Sequence, residues 1–175
     1  MADYRRIFID GFSYFITIVT HKRNPILVKN IELLRESFRF SQTKYDYEIE
    51  AIVVLPDHIH TIINPKFAKD YPQIIGLVKR YFSKRCDERF YNHLSQSQSR
   101  TQRGMKPIWQ KRYYEHTIRD EEDFKMRFHY IHFNPVKHNF CQKVKDWEYS
   151  SFHKFVKLGV YDEDWCDFNE NIDLY

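Results

Sequence analysis

An α+β fold, an antiparallel sheet with helices packed on one face, follows from three features of this 175-residue sequence. Two β-branched runs are joined so tightly that they must form a hairpin. Helical spacing of apolar residues returns three times around the strand-like runs. The resulting order (strand, helix, hairpin, helix, strand, helix) is that of a split βαβ unit, the ferredoxin-like or RRM-like arrangement.

Each element has its own signal. Tyr14 to Thr20 is aromatic and β-branched and reads as a buried strand. Ile31, Leu34 and Phe38 recur at helical spacing and predict a first helix. From Tyr47 apolar residues alternate with Glu48 and Glu50, then run unbroken from Ile52 to Leu55, so this strand passes from half-exposed to buried. Pro56-Asp57 turns the chain into a second strand pattern, His58 to Ile63. Ile74, Leu77, Val78, Tyr81 and Phe82 predict a second helix, extending to about Phe90. The Ser/Gln/Arg-rich stretch between Asn92 and Lys106 reads as a mobile loop. Arg112 to Ile118 predicts a strand, and Asp120 with Asp123 a capping pair opening a third helix. That helix carries Phe124, Phe128 and Ile131 on one stripe and is expected to stop at Pro135, because proline disfavours helical geometry in Asn134. Residues 1–145 form one domain by this reading, and 146–175 an irregular aromatic extension packed on it.

Composition removes several function classes. Only four glycines occur, and none can build a G-x-G-x-x-G turn or a Walker loop, which excludes glycine-cradled nucleotide phosphates. Three widely spaced cysteines argue against a zinc knuckle or a disulfide framework and for reduced thiols. No apolar run approaches the roughly 20 residues needed to cross a bilayer, and no signal core follows the N-terminus. The expectation is a cytoplasmic protein.

Two constellations carry chemistry. His58 and His60 are two apart on a strand, so both side chains leave the same face and can converge on one cation. A lone H-x-H pair is weak evidence, but this one directly follows a buried strand and a tight turn. Tyr130 and Asn134 lie one helical turn apart on the flank of the third helix's apolar stripe, with Arg127 between them and it. This predicts a tyrosine at a sheet margin, part covered and part wet. A phenol, with pKa near 10, is a poor nucleophile at neutral pH. It can attack a phosphodiester if a hard cation polarises the phosphoryl oxygens. Two neutral histidines and one amide oxygen would leave that cation its full charge. Mg²⁺ or Mn²⁺ suits the task, with histidine ligation favouring Mn²⁺.

These residues also carry a family resemblance. Val53-Val54-Leu55-Pro56-Asp57-His58-Ile59-His60 resembles the M/L-P-N/D-H-x-H element of the small single-tyrosine HUH transposases, and Tyr130-Ile131-x-x-Asn134-Pro135-Val136-Lys137 resembles their nucleophile helix. More narrowly the chain resembles the REP-associated tyrosine transposases, through Tyr4-Arg5-Arg6, Phe15-Ile16-Thr17, Ile108-Trp109-Gln110, Glu115 to Asp120, Asp146-Trp147 and Ser150 to His153. The resemblance implies that His58, His60 and Asn134 are metal ligands and Tyr130 the nucleophile. It also implies cleavage and rejoining of single-stranded, hairpin-forming DNA through a 5′-phosphotyrosine link. Arg5 and Arg6 would form an N-terminal arm reading bases beside the hairpin. A nucleoid-associated bacterial protein acting as a monomer is expected, with a helix-exchanged dimer as the alternative.

Charge distribution supports a DNA partner independently. The net +4 conceals a basic stretch from Lys79 to Arg112, where ten basic residues meet two acids, and residues 161–175, where six acids meet no base. Lys79, Arg80, Lys84, Arg85, Arg103, Lys111, Arg112 and, on the third helix, Arg127 are the candidate phosphate contacts. Phe90, Tyr91 and Trp109 offer stacking surfaces, whereas Tyr81 and Phe82 are expected mostly in the core. The acidic end could fold over the basic site. The alternative to a strand-transferring enzyme is a non-catalytic, RRM-like binder of single-stranded or hairpin nucleic acid with vestigial histidines. His116, His129 and His132 are expected to be structural.

Overall fold

A computed structural model of the chain describes residues 8–166. Strands β1 (Tyr14–Val19), β2 (Tyr47–Val54), β3 (His58–Pro65) and β4 (Tyr114–Thr117) form one antiparallel sheet in the order β2-β3-β1-β4. This is the strand order of a ferredoxin-like fold, and it puts β1 and β3 at the centre. The β2–β3 turn is the tight hairpin expected from Pro56-Asp57, closed by the Leu55 N–H donating to the His58 carbonyl at 2.8 Å.

Strand alternation divides the apolar residues between two cores. Tyr14, Ile16, Ile18, Ile59 and Ile63 point to one face, where α1 (Ile31–Gln42) and α2 (Tyr71–Arg85) cover them with Leu34, Phe38, Ile74, Val78 and Phe82. Phe15, Ala51, Val53, Leu55 and Ile62 point to the other, beneath α4 (Glu121–Lys137), which contributes Phe128 and Ile131. The two crossover helices thus share a face as predicted, but the third does not. The expectation of helices on one face is corrected to two layers, because central strands that are apolar on both faces need cover on both.

Helix α4 also corrects its predicted end. Asp120 caps it, its side chain accepting from the Asp123 N–H at 2.8 Å, but the helix continues through Pro135 to Lys137. Proline removes its own N–H bond and crowds the carbonyl one turn back, a local cost that the surroundings offset. The final turn is held by the His138 N–H on Asn134 O (3.1 Å), the Phe140 N–H on Pro135 O (2.9 Å) and packing of Val136. Two smaller corrections concern the basic stretch. Helix α2 ends at Arg85, where Cys86 turns extended, and residues 88–90 form a separate 3₁₀ turn. The predicted mobile loop contains a short helix, α3 (Gln98–Gln102), and is tied down by Lys22 Nζ on Ser95 Oγ (2.6 Å) and Arg100 on the Trp109 carbonyl (2.9 Å).

After α4 the chain completes the second core with Val144, Trp147, Tyr161 and Phe152, the last opening α5 (Phe152–Lys157). It also covers the β2 edge, through Trp147 Nε1 on the Val54 carbonyl (3.1 Å) and the Ser151 N–H on the Ile52 carbonyl (2.8 Å). Tyr161 accepts or donates to His129 and His132 through its hydroxyl (2.7 and 3.1 Å), so both histidines brace this segment. Asp164 and Glu163 pair with Lys145 (2.8 and 3.7 Å). Glu163 and Asp164 therefore lie against Lys145 and not over the 79–112 stretch. Asp167, Glu170 and Asp173 lie outside the described residues. No described helix is long and apolar enough to cross a membrane.

Candidate active site

His58 and His60 stand on the α4 side of β3, opposite Val19 and Thr17 of β1. Both are buried, and their rings meet edge to face with centroids 4.9 Å apart. Neighbours fix each ring by its Nδ1. His58 Nδ1–H donates to Asp57 Oδ1 at 2.6 Å, and His60 Nδ1 shares a hydrogen bond with the Thr17 hydroxyl at 2.8 Å. Nε2 is then the nitrogen each ring presents for coordination, an orientation that outer partners commonly impose on metal-binding histidines. Burial, followed by the charges of His58, His138, Lys137 and Arg23, pushes His60 well below the ordinary imidazole range. The ring therefore stays neutral, the form that binds a metal.

Asp57 uses both carboxylate oxygens. Oδ1 takes His58 and Oδ2 takes Arg23 at 3.1 Å. Burial would raise its pKa, but the bonds from His58 and Arg23 outweigh that and hold it below the usual carboxylate range. Arg23 reaches Asp57 from a turn in which Lys22 and Arg23 both adopt left-handed backbone, at φ 51° and 53°. Such paired strain in residues other than glycine is rare and concentrates at functional sites.

Helix α4 supplies the facing wall. Tyr130 packs its ring edge-on against His60 (centroids 5.4 Å apart) and against Phe15 (6.1 Å). It is only 2 % exposed, so the part-wet margin predicted for it is replaced by a buried seat. The same face carries Asn134 one turn later and His138 another turn on. His138 meets His58 with ring centroids 5.3 Å apart. Asn134 thus lies between a residue touching His60 and one touching His58. It is 0 % exposed, and neither its Oδ1 nor its Nδ2 has a hydrogen-bond partner among the described residues. Buried amides are almost always satisfied, so this orphaned pair marks a position built for a further partner. Two Nε2-presenting histidines and one orphaned amide oxygen fit a divalent cation. Among the described residues no group of three or more His, Cys, Asp or Glu is arranged to hold one, so a cation held here would need the amide as well.

Tyr130, His58, His60, Arg23, Arg112 and Lys137 line one cavity of about 580 Å³. A second cavity of about 570 Å³, lined by Lys79, Arg80, Lys84, Lys111 and Arg100 among others, shares Gln110 and Tyr113 with it. The structure thus brings five sequence-predicted basic residues into two adjoining cavities. Lys79 donates to the Gln110 carbonyl at 2.8 Å, and burial plus the Arg100 charge push its pKa down to about 8. Arg85 and Arg103 are exposed and line neither cavity; Arg85 lies 3.7 Å over the Tyr81 ring. Arg127 is elsewhere. Buried, it donates through Nε to Asp123 Oδ1 (2.7 Å) and lies over the Phe15 ring. Trp109 is a core residue, its Nε1 donating to the Lys79 carbonyl, and offers no stacking surface. Arg5 and Arg6 lie outside the described residues. Thr17, Arg23, Lys137 and His138 are site residues that sequence reasoning missed. Of these His138 had a signal in its place four residues beyond Asn134, and Thr17 and Lys137 stood in segments that carry the family resemblance, whereas Arg23 had none.

A tyrosine-bearing helix laid over a histidine pair on the central strand of a ferredoxin-like sheet defines a single-tyrosine, His-x-His class of protein. Comparison with known proteins agrees. The family model described as "Transposase IS200 like" matches residues 9–134. The REP-associated tyrosine transposase of Escherichia coli K12 is 34% identical over 95% of this chain and 92% of its own. A Haemophilus influenzae relative of the same kind is 38% identical over 94% and 93%. The solved structure of a REP-associated tyrosine transposase bound to a REP hairpin superposes with a TM-score of 0.78 at 30% identity, covering 100% of this chain and 99% of that one. The chain belongs to the IS200-like transposase family, in its REP-associated tyrosine branch.

Proposed function

We propose that this protein is a metal-dependent single-tyrosine transposase that cleaves and rejoins single-stranded DNA at hairpin-forming, REP-like sequences. The observation that supports this most directly is the seating of Tyr130 against His60 in a cavity also lined by His58 and by three cationic side chains. The hairpin-bound relative supports the choice of DNA, and the adjoining basic cavity offers room for its backbone.

In this reading Tyr130 Oη attacks the scissile phosphorus and the P–O3′ bond breaks. The product is a 5′-phosphotyrosine link and a free 3′-hydroxyl. The covalent bond conserves the phosphodiester energy, so rejoining needs no nucleotide. His58 and His60, through Nε2, and Asn134, through Oδ1, would hold Mg²⁺ or Mn²⁺. When bound, that cation supplies charge neutralisation at the phosphoryl oxygens. Phe15 and His60 set the phenol's direction, and Asp57 and Thr17 keep the histidines turned for coordination.

The test is a labelled REP-type hairpin resolved on a denaturing gel. A covalent adduct should form with Mn²⁺ and vanish with chelator. Tyr130→Phe should lose the adduct while retaining hairpin binding. Adduct formation by that variant would refute the nucleophile. Tight hairpin binding with no adduct in any divalent metal would instead establish the non-catalytic reading.

A further inference from the structure

We propose that Lys137 holds the scissile phosphate against Tyr130, contacting a non-bridging oxygen from the helix side of the cavity. The inference rests on the strand-transfer reading above and adds to it a residue that acts on the substrate directly.

Four observations carry it. Lys137 closes α4 seven residues after Tyr130, two turns along the same face. Its Nζ stands 4.9 Å from the centroid of the Tyr130 ring. Both side chains line the cavity that also holds His58 and His60. Among the described residues Lys137 has no carboxylate partner, whereas Arg23 in the same cavity is committed to Asp57.

The geometry is that of a phosphate clamp. A phosphorus atom about to be attacked must lie about 3–3.5 Å from the phenolic oxygen. An ammonium already poised over that ring can reach one of its oxygens without movement of the helix backbone. The histidines approach from the sheet and Lys137 from the helix, so the two non-bridging oxygens meet different walls. Attack adds charge to these oxygens, and a fixed cation there favours the transition state over the ground state. The Tyr130 Oη–P bond forms and the P–O3′ bond breaks. The phenol proton passes to water, and the departing 3′ oxygen takes one from water. Lys137 remains an ammonium throughout, donating hydrogen bonds without transferring a proton.

A purely structural role for Lys137, as a cation resting on an aromatic ring, would not depend on substrate charge. The experiment exploits this. The cut position is mapped first from the wild-type adduct, and hairpins are made with either a phosphodiester or an uncharged methylphosphonate at that junction. Single-turnover adduct formation is measured for wild type, Lys137→Met and Lys137→Arg, with hairpin affinity followed in parallel. Lys137→Met should lose about 10²–10³-fold in rate on the phosphodiester, and Lys137→Arg should recover most of it. On the methylphosphonate, wild type and Lys137→Met should react alike. Comparing two substrates within one protein cancels any loss of folded fraction. An unchanged rate for Lys137→Met, or an equal loss on both substrates, would overturn the inference and leave the function standing. Absence of any wild-type adduct would overturn the function and the inference with it.

Discussion

Replacing Asn134 by leucine should make the metal-free protein more stable, against the usual expectation for an invasive change at a fully buried site. The side chain is 0 % exposed, and both of its polar atoms lack a hydrogen-bond partner among the described residues. Leaving a buried amide unsatisfied costs about 1–3 kcal/mol, and leucine has the same branched arrangement of heavy atoms and better helix propensity. In a chain of this length about 2–4 °C of Tm accompanies each kcal/mol, so Asn134→Leu should melt about 2–12 °C above wild type in chelator. Metal should offset that advantage. A cation at 100 times its Kd stabilises the folded state by about 2.7 kcal/mol, a gain the wild type should show and the variant should lose. The assay is thermal unfolding by circular dichroism in EDTA and in saturating Mn²⁺. A variant melting below wild type in EDTA would mean that the amide is satisfied within the protein. A variant retaining the full Mn²⁺ shift would remove Asn134 from the ligand set.

Two further outcomes follow from groups that orient others. Asp57→Ala frees His58 Nδ1 and Arg23 together. It should weaken Mn²⁺ binding, read by calorimetry on the folded variant, by about 10–100-fold. An unaltered affinity would show that His58 needs no orienting partner. Asp123 governs acid stability two turns before Tyr130 on the active-site helix. Burial alone would raise its pKa, but bonds from His116, Arg127 and the Arg119 N–H outweigh it and hold the carboxyl below the usual range. A carboxylate depressed in the folded state contributes stability that is complete above its unfolded pKa near 4 and is lost as pH falls through the folded value. Asp123→Asn should therefore narrow the stability difference between pH 7 and pH 3, measured by urea unfolding. An identical pH slope in both proteins would refute this.

What the sequence showed and what it hid have a common physical origin. Features spaced along one element were legible. The histidine pair follows from a period of two, and the Tyr130–Asn134 pair follows from a period of 3.6. Contacts between elements were hidden, since nothing in local spacing says that Arg23 meets Asp57 or that Thr17 meets His60. Proline was over-read for a related reason. Its local cost is real, yet packing of Val136 and two C-terminal hydrogen bonds outweigh it, and so bring Lys137 and His138 into the cavity. A helix broken at Pro135 would have left the cavity without either side chain.

The misplaced third helix is the more instructive case, because its signal was present. The run Ile52-Val53-Val54-Leu55 is apolar on both faces of β2, and in β3 Ile62 and Ile63 repeat the pattern. A sheet covered on one side only would leave Val53, Leu55 and Ile62 in water, and each is in fact buried. Counting the apolar residues left on the far face therefore requires a second layer, and the only remaining long helix among the described residues is the one bearing Tyr130. That layer is also what makes the site possible. His58 and His60 share their face with Val53 and Ile62, so the helix that must bury the far core is the same one that brings the phenol and the amide onto the histidine pair. Covering the core and assembling the active site are, in this fold, a single packing event.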